Sequence, residues 1–246
     1  MSTPLTFGYL YDFRNPPQWA RRPTDLYAEI LDFAAWSETA GFAGAWVPEH
    51  HGAQDGYMPA PNVALAAIAA RTSRIRLGSA IALAPLYHPV RFAEECAVLD
   101  ILSDGRLEMA LAIGYRRRET QAYGVDFGKR GARFDEFLAI VQRLWAGETV
   151  DFSGQHYNVT GATLRPAAPR GRIPSILAAL PRRRWRGWRN MPTAISAMRK
   201  CAASMPTSCA PRARIRRARI RIQSLFTLVA DDPEAAMAEM APISIM

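Results

Sequence analysis

Two adjacent histidines, His50 and His51, follow the acidic Glu49 directly after a short apolar run that ends at Val47-Pro48. An imidazole titrates near pH 6.5, so either ring can exchange protons with a bound molecule at neutral pH. Neighbouring histidines also suit a metal, but no third ligand lies at a suitable spacing, and no metal centre is expected. Read alone, a histidine pair on a loop is more often packed or solvated than catalytic. Arg116, Arg117 and Arg118 offer charge to neutralise a cofactor phosphate, and their plainer reading is a solvated face. Glu94 and Asp100 read as structural partners on a helix face rather than acid–base groups.

The elements that must position these groups follow from hydropathy. Leu5 to Tyr11 is an apolar, aromatic run suited to a buried strand. From Thr24 the spacing turns helical, with Leu26, Ile30, Phe33 and Ser37 on one face, Thr24 as N-cap and Gly41 as the stop. Ala43 to Val47 is a second strand. Ala60 to Arg71 is a second helix, apolar enough to be buried, and Ile75 to Leu83 a third strand. His88-Pro89 opens a third helix, with proline at the first helical position, where its missing N–H costs nothing. Leu107 to Ile113 is a fourth strand ending at Gly114. Phe134, Phe137, Leu138, Val141, Leu144 and Trp145 draw the stripe of a fourth helix. Asp151 to Val159 reads as a hairpin around Ser153-Gly154, and Ile173 to Ala179 as a fifth strand.

Strands that are continuous apolar runs, alternating with helices, predict an α/β fold with a parallel sheet covered by helices. A doubly wound open sheet would carry a Gly-rich first turn. Here that turn is Asp12-Phe13-Arg14-Asn15-Pro16, so a (β/α)8 TIM barrel is favoured. Chemistry in such a barrel sits at the C-terminal ends of the strands. Those ends carry Glu49-His50-His51, the small pair Ala80-Ile81, and Gly114-Tyr115.

At these residues the chain resembles the bacterial luciferase-like family of flavin-dependent monooxygenases. The matching segments are Glu49-His50-His51, Leu77-Gly78-Ser79-Ala80-Ile81, His88-Pro89-Val90-Arg91 with Ala93-Glu94, Leu99-Asp100, Ser103-Asp104-Gly105-Arg106, and Ile113-Gly114. Their order and spacing hold over about residues 5–180. The resemblance implies reduced FMN, or a deazaflavin in some branches, lying over Ala80, Ile81, Gly114 and Tyr115. It also implies oxidation of a small organic substrate with O2, a separate flavin reductase as partner, and a homodimer. His50 takes the catalytic role, His51 a structural one, and Ala80-Ile81 matches a place where the family often has a non-proline cis peptide. Where luciferase has a reactive cysteine followed by arginine, Ala112 and Ile113 stand here, which leaves light emission unsupported. A deazaflavin-dependent dehydrogenase is the alternative on the same barrel.

The 246 residues are 49% hydrophobic and 22% charged, which excludes disorder of the whole chain. The apolar runs fall short of the ~18–20 residues that span a bilayer, and no signal-peptide pattern opens the chain. Cys96, Cys201 and Cys209 have no ligand spacing, and a soluble cytoplasmic protein with reduced thiols is expected. The net charge of +9 is concentrated in one segment. Residues 1–180 hold 18 basic and 18 acidic side chains, whereas residues 181–222 hold 13 basic and none acidic. That stretch, opening Arg182-Arg183-Arg184-Trp185-Arg186, has neither helical nor strand period. A basic arm for nucleic acid is the weaker reading. Back-translated with GC-rich codons and read one frame over, Arg182 to Met198 yields an Ala-rich helix followed by the Ala-Asp-Gly-aromatic strand of the family. The domain reading is therefore one barrel over residues 1–246, with 181–222 frameshifted, strand six replaced and strand eight missing beyond Met246. An inactive product of a frameshifted gene is the second alternative.

Overall fold

A computed structural model describes residues 6–177 of the chain. Five parallel strands form the main sheet: β1 (Gly8–Leu10), β2 (Gly44–Val47), β3 (Arg76–Leu83), β4 (Leu107–Ala112) and β7 (Ser175–Leu177). Between them run α1 (Pro23–Thr39), α2 (Pro61–Arg71), α3 (Pro89–Leu102), α4 (Arg117–Ala122) and α5 (Arg130–Trp145). A separate antiparallel hairpin joins β5 (Thr149–Ser153) to β6 (Asn158–Thr163). In the main sheet each new strand adds beside the last, in the order β1-β2-β3-β4-β7. A doubly wound sheet reverses direction at a switch point, and a barrel does not. The described residues thus form an open arc of barrel-type α/β structure. The expectations for strand six, strand eight and the Arg-rich segment fall outside them. None of the described helices is long and apolar enough to cross a membrane.

One face of the arc makes the core. Ala45 and Val47 of β2, Leu77 of β3, and Leu107 and Met109 of β4 are buried with Leu65 and Ile68 of α2, Phe92 of α3 and Phe137 of α5. The other face is spaced by glycine. Leu10, Trp46, Gly78 and Glu108 stand side by side in register, and the Trp46 indole lies across Gly78. A Cβ at Gly78 would meet the indole at 2.2 Å and the Glu108 carbonyl at 2.4 Å. At the opposite end of the strands from the histidines, Arg106 ties α2 to the sheet. Its guanidinium donates to the carbonyls of Ala69, Thr72, Ile75 and Ser103. Asp100 is fully buried and pairs with Arg170 at 2.7 Å, which fits the structural role expected of it. Glu94 is exposed.

Several expectations need correction. α1 starts at Pro23, with Arg22 as N-cap, because proline already sets the first turn. Thr24 lies inside the helix and donates its hydroxyl to Asp25 instead. Among the described residues β1 pairs on one side only, with β2, and Phe33 is 37% exposed. Within β1, Gly8 and Leu10 are exposed and Tyr9 is half-buried, where a buried strand was expected. Helix α2 buries only one face, and Val63 on the other is 72% exposed. The stop at Gly41 holds, with φ at +90°. Helix α4 starts inside the arginine run, at Arg117, and continues past it to Ala122.

Candidate active site

The loop after β2 carries Glu49, His50 and His51, and two elements hold it. Its own His50 N–H donates to the Met58 carbonyl at 2.9 Å. The second element is α4, which begins three residues after Gly114. Glu119 of α4 is buried to 2% exposure, and its Oε1 accepts from His50 Nδ1 at 3.0 Å and from the His51 N–H at 3.1 Å. Arg116 Nη1 stands 3.8 Å from the same oxygen. The second carboxylate oxygen, Oε2, is buried without a partner.

That arrangement assigns the His50 tautomer. A carboxylate only accepts, so the proton sits on Nδ1 and the lone pair on Nε2. The ring is half-buried, 4.4 Å from the Tyr57 ring and 6.1 Å from the Tyr115 ring, centroid to centroid. Burial lowers its pKa below the ordinary 6.5; the Glu119 carboxylate works against that, and Arg116 adds to it. His50 is thereby held as a neutral imidazole at neutral pH, with one nitrogen able to accept a proton.

His51 differs in every respect. Its Nε2 meets Glu49 Oε1 at 2.8 Å and its Nδ1 meets the Tyr123 hydroxyl at 3.0 Å, while Glu49 Oε2 accepts the Leu83 N–H at 2.7 Å. Both ring nitrogens are committed, which fits the structural role expected of this residue.

The remaining candidates lie on the next two strand ends. The Ala80–Ile81 peptide is cis, at the place the resemblance indicated. The pairing of β3 with β4 shifts register between Ser79 and Ala82. Across that break the Ser79 hydroxyl bridges to Ala110, donating to its carbonyl at 2.8 Å and accepting its N–H at 3.1 Å. Gly114 has φ at +75°, a conformation open to glycine at little cost, and its carbonyl accepts Arg130 Nε at 3.1 Å. Tyr115 is 64% exposed. The structure brings His50 and Tyr115 together and sets Ala80, Ile81 and Gly114 on the two adjoining strand ends. Of the arginine run, Arg117 and Arg118 are solvated as expected, but Arg116 turns inward to Glu119.

The sequence reading missed Glu119, Tyr57 and Tyr123. For Glu119 the only available signal was its i,i+3 spacing from Arg116. Among the described residues, no group of three or more His, Cys, Asp and Glu side chains is arranged to hold a metal ion.

Comparison with known proteins gives one consistent answer. The profile of the luciferase-like monooxygenase family matches residues 5–246. The oxygenase component of a flavin-dependent trigonelline monooxygenase from Acinetobacter baylyi is 30% identical over 143 residues, covering 57% of this chain and 39% of that protein. An F420-dependent glucose-6-phosphate dehydrogenase from Kineococcus radiotolerans is 34% identical over 160 residues, covering 61% of this chain and 46% of that one. Among solved structures, the monooxygenase RslO1 from Streptomyces bottropensis superposes with a TM-score of 0.66 at 31% identity, over 71% of this chain and 53% of its own. The chain thus spans about half, or less, of the relatives it matches.

Proposed function

This chain belongs to the luciferase-like monooxygenase family, and we propose that it is an oxidoreductase using reduced FMN and O2 to oxygenate a small organic substrate. The observation that carries this reading is the His50–Glu119 pair at the C-terminal ends of a parallel sheet. The site suits a planar cofactor. Ala80, Ile81 and Gly114 present small or glycine surfaces on neighbouring strand ends, and a Cβ at Gly114 would come within 3.6 Å of the Leu83 side chain. These residues, with Tyr115, would hold the flavin. When bound, a reduced flavin supplies the two electrons that activate dioxygen.

The chain's own residues then do three things. Small side chains at Ala80 and Gly114 let the ring approach the backbone. His50 accepts or returns a proton at Nε2, and Glu119 steadies the imidazolium that forms when it does. The tyrosine rings at Tyr57 and Tyr115 narrow the space around the imidazole. A separate flavin reductase supplies the reduced cofactor, a reading supported by the Acinetobacter relative being the oxygenase component of its enzyme. We further propose a single barrel-type domain over residues 1–246, acting in the cytoplasm as a homodimer.

A second reading has a specific observation in its favour: the Kineococcus relative is an F420-dependent dehydrogenase at comparable identity. On that reading the same barrel binds a deazaflavin and moves a hydride without oxygen. Titration of the full chain with reduced FMN and, separately, with a deazaflavin decides between them. Saturable FMN binding, with aerobic turnover that falls about 10²-fold or more in His50→Gln, is the expected result. Binding of deazaflavin alone transfers the site to the dehydrogenase. Binding of neither, or full activity in the variant, overturns the proposal.

A further inference from the structure

Between the loop that carries His50 and the strand end that carries Ala80 and Ile81, the sheet's own hydrogen bonding gives out. Strand β2 pairs with β3 as far as Val47 opposite Ser79. The next residue is Pro48, which has no N–H to carry the ladder on. A side chain bridges the gap. Glu49 is 2% exposed, and its Oε2 accepts the N–H of Leu83, two residues beyond Ile81, at 2.7 Å. Among the described residues no other hydrogen bond joins the loop, 48–51, to the β3 end, 80–83.

The other oxygen of Glu49 is held as firmly. A carboxylate only accepts, so Oε1 takes the His51 Nε2–H at 2.8 Å. His51 Nδ1, left with its lone pair, accepts the Tyr123 hydroxyl at 3.0 Å. Tyr123 is the C-cap of α4, four residues after Glu119, a spacing that puts both on one side of the helix. Helix α4 thus grips the loop twice. Glu119 takes the His50 ring and the His51 amide, and Tyr123 takes the His51 ring. Glu49 carries that grip on to β3. Burial, with the Glu49 carboxylate beside it, pushes the Tyr87 phenol up, so its hydroxyl stays neutral next to the charge. A buried carboxylate keeps such a place only while donors meet it.

We infer, on the strength of the flavin reading proposed for this site, that Glu49 is a positioning residue, which sets the β3 end, and with it Ala80 and Ile81, against His50. His50 itself is held by Glu119 and by the Met58 carbonyl. Losing Glu49 therefore shifts the wall of the flavin seat and leaves the imidazole in place. The Leu83 N–H needs only an acceptor oxygen, so glutamine preserves the link and leucine breaks it. Glutamine also turns its NH2 toward His51 Nε2, which forces the His51 proton to Nδ1.

The test compares Glu49→Leu and Glu49→Gln with the native full chain, first without cofactor and then titrated with reduced FMN. Without cofactor, amide exchange at Leu83 should quicken about tenfold or more in Glu49→Leu, the loss of one bond to a charged acceptor. In Glu49→Gln the Leu83 amide should stay protected, while nitrogen NMR finds the His51 proton on Nδ1. His50 should keep its Nδ1 proton in both variants. With FMN, Kd should rise about tenfold in Glu49→Leu, and Glu49→Gln should restore most of the affinity. Glu136, whose carboxylate accepts the amides of Gln155, His156 and Tyr157, supplies the control for stability. Glu136→Gln should lower Tm and leave FMN affinity unchanged. If circular dichroism shows Glu49→Leu unfolded, the His51 tautomer in Glu49→Gln decides. An unmoved Leu83 amide or native FMN affinity in folded Glu49→Leu would overturn the inference. So would a His51 proton that stays on Nε2 in Glu49→Gln, or an equal loss of FMN affinity in Glu136→Gln. A native chain that takes up no FMN overturns the flavin reading instead, and the cofactor-free amide and tautomer results then decide the Glu49 link on their own.

Discussion

Replacing Glu119 by glutamine removes one charge from beside His50 and changes almost nothing in size, which makes it the sharpest probe of the site. In the native chain Glu119 Oε1 accepts two hydrogen bonds, at 3.0 Å from His50 and 3.1 Å from the His51 N–H. Bonds to a charged partner contribute about 1.5–3 kcal/mol, against about 0.5–1.5 for a neutral one. Two such bonds lose roughly 2–3 kcal/mol together, which for a chain of this size lowers Tm by about 5–10 °C. The titration of His50 should move as well. Burial and Arg116 lower its pKa, and the Glu119 carboxylate is the main opposing influence. Glu119→Gln therefore moves the His50 pKa further down, and Arg116→Gln moves it up.

Heteronuclear NMR of the imidazole measures both shifts without any knowledge of the substrate. In turnover, the acid limb of the pH–rate profile should follow the NMR shift. The plateau should fall about tenfold because the tautomer is no longer fixed, a barrier change of about 1.4 kcal/mol. Because the folded pKa lies below the unfolded one, the stability that neutral His50 provides is present above pH ~6.5 and lost as pH falls through the folded value. A His50 that titrates above 6.5 in the native chain would refute the reasoning. So would an upward shift in Glu119→Gln, or a plateau loss with no movement of the acid limb, which would leave Glu119 a mere prop.

Two further outcomes follow from other parts of the chain. Gly78→Ala places a methyl 2.2 Å from the Trp46 indole and 2.4 Å from the Glu108 carbonyl. Because the carbonyl is backbone and cannot swing away, the variant should lose about 3 kcal/mol or more in chemical denaturation, and an unchanged midpoint would count against the packing described here. Sequencing of codons 175–225 from independent template should reveal compensating one-base changes near codons 181 and 222, restoring the Ala-Asp-Gly strand. An unaltered frame would make the basic segment a genuine insertion and bring nucleic-acid binding, with its steep salt dependence, back into play.

How much of this was legible in the residues depended on what decides each element. Strands β2, β3 and β4 and helices α3 and α5 are written in hydropathy, because each buries a whole run or stripe against the others. In α5, all six residues of the expected stripe are buried. Edge elements read less well. Leu5 to Tyr11 is apolar enough for a buried strand, yet β1 has a partner on one side only among the described residues, and neither its burial nor that of Phe33 can be judged without knowing the neighbour.

The site shows the same division more sharply. His50 was legible because motif order and spacing placed it at a strand end, where a barrel keeps its chemistry. Glu119 was not, because nothing local distinguishes it. Its helix is six residues long, Arg-Arg-Glu-Thr-Gln-Ala, with no apolar stripe to give a period. The burial of that carboxylate comes from groups 68 and 69 residues away in the chain: the His50 ring and the His51 amide. A charged side chain enters such a position only when donors are waiting for it, and a linear sequence does not display that meeting. The histidine pair and the arginine run were both visible as chemistry. What joined them was the acid at the end of that run, held between a ring that uses its charge and a backbone that fixes its place. Arg116, two residues from the solvated Arg118, turns inward for the same reason. The candidate site is therefore a product of α4 closing on the β2 loop, and variants that loosen α4 should act on His50 before they act on the barrel.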